Sequence, residues 1–160
     1  MNREMRRLQS RLAAQAAAKG RAPRIGGLPA ISNCLPLTEE EVARLSLEAR
    51  MSWHRVCSGE GTTTDFDNLV FALNTTRVRA EQVSDELVGI VYEGQMALLE
   101  IRNRYLRIGK FGADADALQK IPPVLDLHDE FLRHSTPAQM ARAVTTAIRR
   151  MEKNKAAAAQ

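Results

Sequence analysis

Aromatic residues make up only 4% of the 160-residue chain, so any core must be filled mainly by aliphatic side chains. With few runs of β-branched residues beside that scarcity, sheets are disfavoured and Leu/Ala-rich helices are expected. No apolar run approaches the roughly 18 residues that cross a bilayer, which argues against an integral membrane protein. The positively charged start is not expected to act as a secretory leader either. Arg11 interrupts the stretch from Leu8 to Ala18, and Gln9, Ser10 and Gln15 dilute it. Cysteine is scarce, and Cys34 and Cys57 fall in different segments without metal-type pairing, which fits reduced thiols in a cytoplasm. The frames of familiar catalysis are missing too. Ser, His and Asp occur, but no Gly-x-Ser-x-Gly elbow and no glycine-rich phosphate loop surrounds them. The expectation is therefore a non-enzymatic protein without cofactor.

What is present is segregated charge. The first 27 residues hold seven cations (Arg3, Arg6, Arg7, Arg11, Lys19, Arg21 and Arg24) against the single acid Glu4, a net of +6. From Leu28 to Ile148 there are 12 Lys/Arg against 17 Asp/Glu, and from Arg149 onward four cations against one acid. Basic ends thus flank an acidic middle, which says where a polyanion would be held.

The chain is long enough for one domain, burying about 68–70% of the unfolded surface. Residues 2 to 19 read as a helix with Met5, Leu8 and Leu12 on one side and Arg3, Arg7 and Arg11 roughly opposite. Its apolar side is too small to favour a lipid surface. Five Pro or Gly residues between Gly20 and Leu37 then break the pattern. The organisation expected is a basic arm over 1–27, a linker over 28–37, a helical domain over 38–153 and a disordered tail over 154–160.

Within the domain, Thr38 and Glu41 form a capping box that starts a helix burying Val42, Leu45, Ala49, Trp53 and Val56, with Gly59 and Gly61 as its stop. Thr64 is the expected cap of a second helix, with Asp65 and Asp67 in its first turn and Phe66, Leu69, Val70 and Leu73 on its apolar stripe. Ser84 opens a long helix to about Ile108. It is apolar on several sides through Leu87, Val88, Ile90, Val91, Tyr92, Leu98, Leu99 and Leu106, which marks it as the central helix or one face of a dimer. Gly89 and Gly94 each cost that helix about 1 kcal/mol, a loss that close packing of another helix usually offsets. A short helical piece around Asp114–Lys120 should end before Pro122 and Pro123, which suit the first turn of a new helix. Ser135, Thr136 and Pro137 begin the last helix, with Met140, Ala141, Val144, Ile148 and Met151 buried. The fold class expected is all-α, a bundle of five or six helices with a separate basic N-terminal helix.

The last helix gathers Gln139, Arg142, Thr146, Arg149, Arg150 and Lys153 on its solvent side, with no acid between Pro137 and Met151. Cations and amides on such a face can lie along a phosphate backbone and address base edges, although basic residues also simply complement the negative end of a helix dipole. The arm adds up to seven phosphate contacts and no aromatic ring for base stacking, so its binding would be non-specific and salt-sensitive. A helix-turn-helix drawn from the first two helices of the body puts Asp65 and Asp67 against phosphates and is rejected. The pair meeting at His134–Thr136 is the better candidate. His54 and Cys57 share one helix at metal-ligand spacing, but no further ligand stands nearby, so packing beside Trp53 is expected. Asp126, His128, Asp129, Glu130 and His134 form an acidic, His-containing patch without the Glu-x-x-His pairs of helical di-metal sites. There His128 is expected to be a core residue and the acids a solvated face.

Asp65–Asn74, Gly94-Gln95-Met96-Ala97-Leu98-Leu99, Gly109-Lys110-Phe111 and Leu127-His128-Asp129 stand within a span from about Leu37 to Met151. In these residues the body resembles an uncharacterised family of short helical proteins from bacterial plasmids and prophages, often labelled Fis-like regulators. The matching residues are packing and capping residues, so the resemblance implies a fold and no catalytic residue. The regulator label implies a basic C-terminal helix and a DNA-associated role on a mobile element. The function expected is a non-enzymatic, cytoplasmic accessory or regulatory protein bound to nucleic acid. The alternative is a protein-interaction module, an inhibitor or adaptor of a host complex, acting through the acidic body or the apolar long helix.

Overall fold

Thr38 caps the first helix by the expected box: its hydroxyl accepts the Glu41 amide at 3.3 Å, and the Glu41 carboxylate accepts the Thr38 amide at 3.1 Å. The computed structural model describes residues 35–157, which form five helices and no strand. They are α1 (Glu39–Ser58), α2 (Thr63–Ala80), α3 (Asp85–Ile108), α4 (Ala115–Arg133) and α5 (Pro137–Ala157). The all-α expectation holds for this region. The anticipated N-terminal helix and most of the linker lie outside the described residues.

α1 ends at Gly59, whose φ of 78° is the left-handed conformation that a side chain resists. The next cap is Thr62 rather than Thr64. The Thr62 hydroxyl and amide both donate to Asp65 Oδ2, at 2.7 and 2.9 Å, and the Asp65 amide donates back at 3.2 Å. Thr62 and Thr64 each have a carboxylate three positions on, Asp65 and Asp67, and it is the Thr62–Asp65 pair that closes the box.

The long helix is not the centre of the bundle. α2 is, packing against each of the other four helices. Leu69, Ala72, Leu73, Thr75, Thr76, Val78 and Ala80 are all buried, so almost its whole circumference is enclosed. α3 buries one stripe instead (Val91, Gly94, Ala97, Leu98 and Ile101) and leaves its outer side in solvent. A weak apolar periodicity is the mark of a helix covered all round. Its Thr, Asn and Arg residues hid this in α2, while scattered hydrophobics suggested it falsely in α3.

At Gly94, α3 and α4 approach closely. A Cβ there would stand 2.6 Å from Val124 Cγ2 and 3.2 Å from the Lys120 carbonyl oxygen. Gly89 faces open space, so the expected compensation by packing applies to one glycine of the two.

α4 corrects the proline reading. It runs unbroken through Pro122 and Pro123, which stand inside the helix. Each proline costs a helix interior about 3 kcal/mol. Ala117, Ile121, Val124, Leu125 and Leu132 are nevertheless fully enclosed, and each large aliphatic side chain contributes about 1.5–3 kcal/mol. Burial on both sides of the prolines therefore holds the helix together. Phe111 pins the loop before it, stacked on Tyr105 at 4.0 Å and on Phe66 at 5.2 Å between ring centroids.

α5 lies along α2, where Ala143 and Ala147 close on Val78. The buried line is Met140, Ala143 and Ala147. Val144, Ile148 and Met151 are half-buried and Ala141 is exposed, one position away from the expected stripe. Alanines permit the closest approach of two helices, and that contact sets the rotation. The helix also continues to Ala157, into the stretch expected to be a disordered tail.

Candidate nucleic-acid interface

Packing α5 on α2 through small residues fixes which side of the last helix is free. Its N-terminus is held by a box in which the Thr136 amide donates to Gln139 Oε1 at 2.9 Å and the Gln139 amide donates to Thr136 Oγ1 at 3.2 Å. Gln139 is therefore engaged in the cap rather than free to address a base. Arg150 is tied back as well, donating to Glu81 at the end of α2 at 2.9 Å. Thr146 is half-buried.

Arg142, Arg149 and Lys153 remain. All three are exposed, and among the described residues none is held by an ion pair or hydrogen bond. Offsets of seven and four residues place them in one row, about 16 Å long at 1.5 Å per residue. The row runs on the side of α5 turned away from α2. It is a short cationic track whose charges are not spent on the protein's own acids.

α5 is not the second half of a packed helix-turn-helix. The turn His134–Thr136 stands where the sequence placed it, but α5's main partner is α2. With α4 it shares only the small cluster of Leu132, Met140 and Val42. The arm residues Arg3, Arg6, Arg7, Arg11, Lys19, Arg21 and Arg24 lie outside the described residues.

The other candidates resolve into structure. Asp65 is buried at the start of α2. Burial pushes its carboxyl up, but the Thr62 hydroxyl and amide and the neighbouring Arg55, at 3.3 Å, outweigh this and hold it below the usual carboxylate range. It is a capping group, not an anion-repelling face. His54 and Cys57 are exposed rather than packed beside Trp53.

The acidic patch on α4 is the solvated face expected at Asp126 and Glu130, which are exposed, but not at Asp129, which is only 5% exposed. Arg50 of α1, absent from the sequence reading, clamps it: Nε and one terminal nitrogen donate to Asp129 Oδ2 at 2.8 and 2.6 Å, and that terminal nitrogen also reaches Asp126 at 2.6 Å. The acid i, i+3 pair on α4 was the available signal, but α1 carries Arg44, Arg50 and Arg55, and the sequence does not say which of them turns to it. His128 is the core residue anticipated. Thr76 Oγ1 stands 2.9 Å from its Nδ1 and 2.8 Å from the Ala72 carbonyl oxygen. A hydroxyl has one proton. With that proton on Ala72, the pairing assigns the imidazole proton to Nδ1, donated to Thr76. Burial pushes the His128 pKa down to about 4, with Asp129 opposing and Arg50 assisting. Glu130, the remaining acid, pairs with Arg133 and stands 3.4 Å from His134. Among the described residues no three His, Cys, Asp or Glu side chains gather as a metal site.

No protein-family model, curated protein or solved structure matches the chain. Among the described residues, no helix is long and apolar enough to cross a membrane.

Proposed function

We propose that the protein is a non-enzymatic accessory or regulatory protein that associates with nucleic acid through α5 and the basic N-terminal arm. The observation that supports this best is the row Arg142, Arg149 and Lys153: exposed, collinear, free of acid partners among the described residues and directed away from the helix on which α5 packs. Charges kept at a surface without intramolecular partners are available to displace counterions from phosphates. With no aromatic platform in the arm and Gln139 engaged in the cap, contact is with the backbone and carries little sequence preference. The resemblance to plasmid and prophage proteins suggests a mobile genetic element as the setting.

Affinity capture of the full chain with and without nuclease tests this reading. Nucleic acid retained at low salt and released by nuclease is the expected outcome. A host protein held at high salt, with no nucleic acid retained, would replace the proposal with a protein-interaction module.

A further inference from the structure

Among the described residues, α3 carries an unpartnered apolar row on the side opposite its buried stripe. Tyr92, Met96, Leu99 and Leu106 are 49%, 38%, 41% and 66% exposed. Their spacings of four, three and seven residues, with Asn103 filling the step between Leu99 and Leu106, are those of a heptad seam that meets another helix. Beside the row opens a groove of about 170 Å³ between α2 and α3, lined by Phe66, Val70, Leu73 and Leu98 with Leu99 at its edge. The same face thus offers apolar projections and an apolar recess, which is what a self-complementary contact requires.

Charge identifies the occupant. Residues 85–100 contain four acids (Asp85, Glu86, Glu93 and Glu100) and no cation. Residues 101–110 contain four cations (Arg102, Arg104, Arg107 and Lys110) and no acid. A helix dipole accounts for like-signed residues in the first and last turns only. Glu93, Glu100 and Arg102 stand in the middle of the helix; Glu93 is paired with Lys120, as Arg104 is with Asp114, while Glu100 and Arg102 hold no ion pair among the described residues. Two copies of α3 laid antiparallel put the acidic half of one beside the basic half of the other. Parallel copies would set like charge against like.

We propose that the outer face of α3 is a self-association surface, on which a second copy of this chain docks antiparallel about a two-fold axis near the middle of the helix. The contact centres on Met96 and Leu99, and each copy's row of side chains faces the other's groove. It does not rest on the nucleic-acid reading, since α5 plays no part in it.

Sedimentation equilibrium of the full, nuclease-treated chain tests the proposal. The expected mass moves with concentration from the 17.8 kDa of one chain toward twice that value. Leu99→Glu leaves the helical circular dichroism intact because the side chain already reaches solvent at the edge of the groove, and raises the dissociation constant by about 100-fold. A variant with Arg142, Arg149 and Lys153 neutralised still dimerises. Orientation is read by mixing Tyr92→Cys and Leu106→Cys chains in which Cys34 and Cys57 are replaced by Ser. The antiparallel arrangement gives the 92-to-106 crosslink in preference to 92-to-92. The proposal is overturned by a wild-type chain that stays monomeric throughout, by dimers unaffected in Leu99→Glu, by a dominant 92-to-92 crosslink, or by an α3 face that binds only a different protein.

Discussion

At the scale of single residues, the molecule places its polar groups where sequence patterns see them least. His128 is buried neutral, with its pKa at about 4 against an ordinary 6.5. A depressed imidazole means that the unfolded chain takes up the proton first as pH falls. The stability tied to neutral His128 is therefore complete above about pH 6.5 and is lost progressively down to about pH 4, amounting to roughly 3 kcal/mol. Urea unfolding at pH 7 and pH 4.5 checks this: His128→Gln should flatten the difference between the two pH values relative to wild type. An unchanged difference would mean that carboxylates carry the whole effect. The Arg50 clamp separates two acids that look alike in the sequence. Asp126 is exposed and Asp129 buried, so Asp126→Asn should cost under about 1 kcal/mol. Asp129→Asn, which strips a charge-assisted bond from an enclosed site, should cost about 1.5–3 kcal/mol by the same measurement. One helical turn contains both behaviours, and the choice between them is made by α1, which lies some 76 positions away in the chain.

At the scale of elements, existence was legible and rotation was not. Thr38 and Glu41, Ser84, Gly59 and Gly109 mark ends by local chemistry, and the helices begin or stop there. Which side of a helix faces inward depends on neighbours. Ala143 and Ala147 displaced the larger Val144 and Ile148 from the buried line because α2 lies close, and Pro122–Pro123 did not divide α4 because both flanks are enclosed. The two glycines of α3 make this concrete. Gly89→Ala adds a methyl group to open space inside a helix and should stabilise by about 0.5–1 kcal/mol. Gly94→Ala drives the same methyl group into Val124 and the Lys120 carbonyl, and should lower stability by about 1–3 kcal/mol. Thermal melts of the two variants should move in opposite directions. Val124→Ala in the Gly94→Ala background should recover part of the loss, since the nearest atom is a Val124 methyl group.

At the scale of the whole molecule, the polarity visible in the sequence is reworked by folding. The cations grouped at the C-terminal end do not act as one patch, because Arg150 turns back to Glu81 while Arg142, Arg149 and Lys153 stay free. Which cations would be diverted was not readable, since it depends on α5 lying against the end of α2. The distinction sets the expected salt dependence of duplex binding. Each neutralised phosphate contributes about −0.9 to the slope of log affinity against log salt. Replacing Arg142, Arg149 and Lys153 by Gln should therefore make the slope of the full chain shallower by about 2.7, with little change in melting temperature because these side chains are exposed and hold no ion pair or hydrogen bond among the described residues. Arg150→Gln alone should leave the slope nearly unchanged and lower stability slightly, by at most about 1 kcal/mol for an exposed ion pair. Fluorescence anisotropy on a generic duplex at several salt concentrations reads both. If the triple variant keeps the wild-type slope, α5 is not on the phosphates, and whatever binding remains belongs to residues 1–27. If Arg150→Gln carries the larger change, Glu81 does not hold that guanidinium in solution, and the binding row is the broader one that the sequence first suggested.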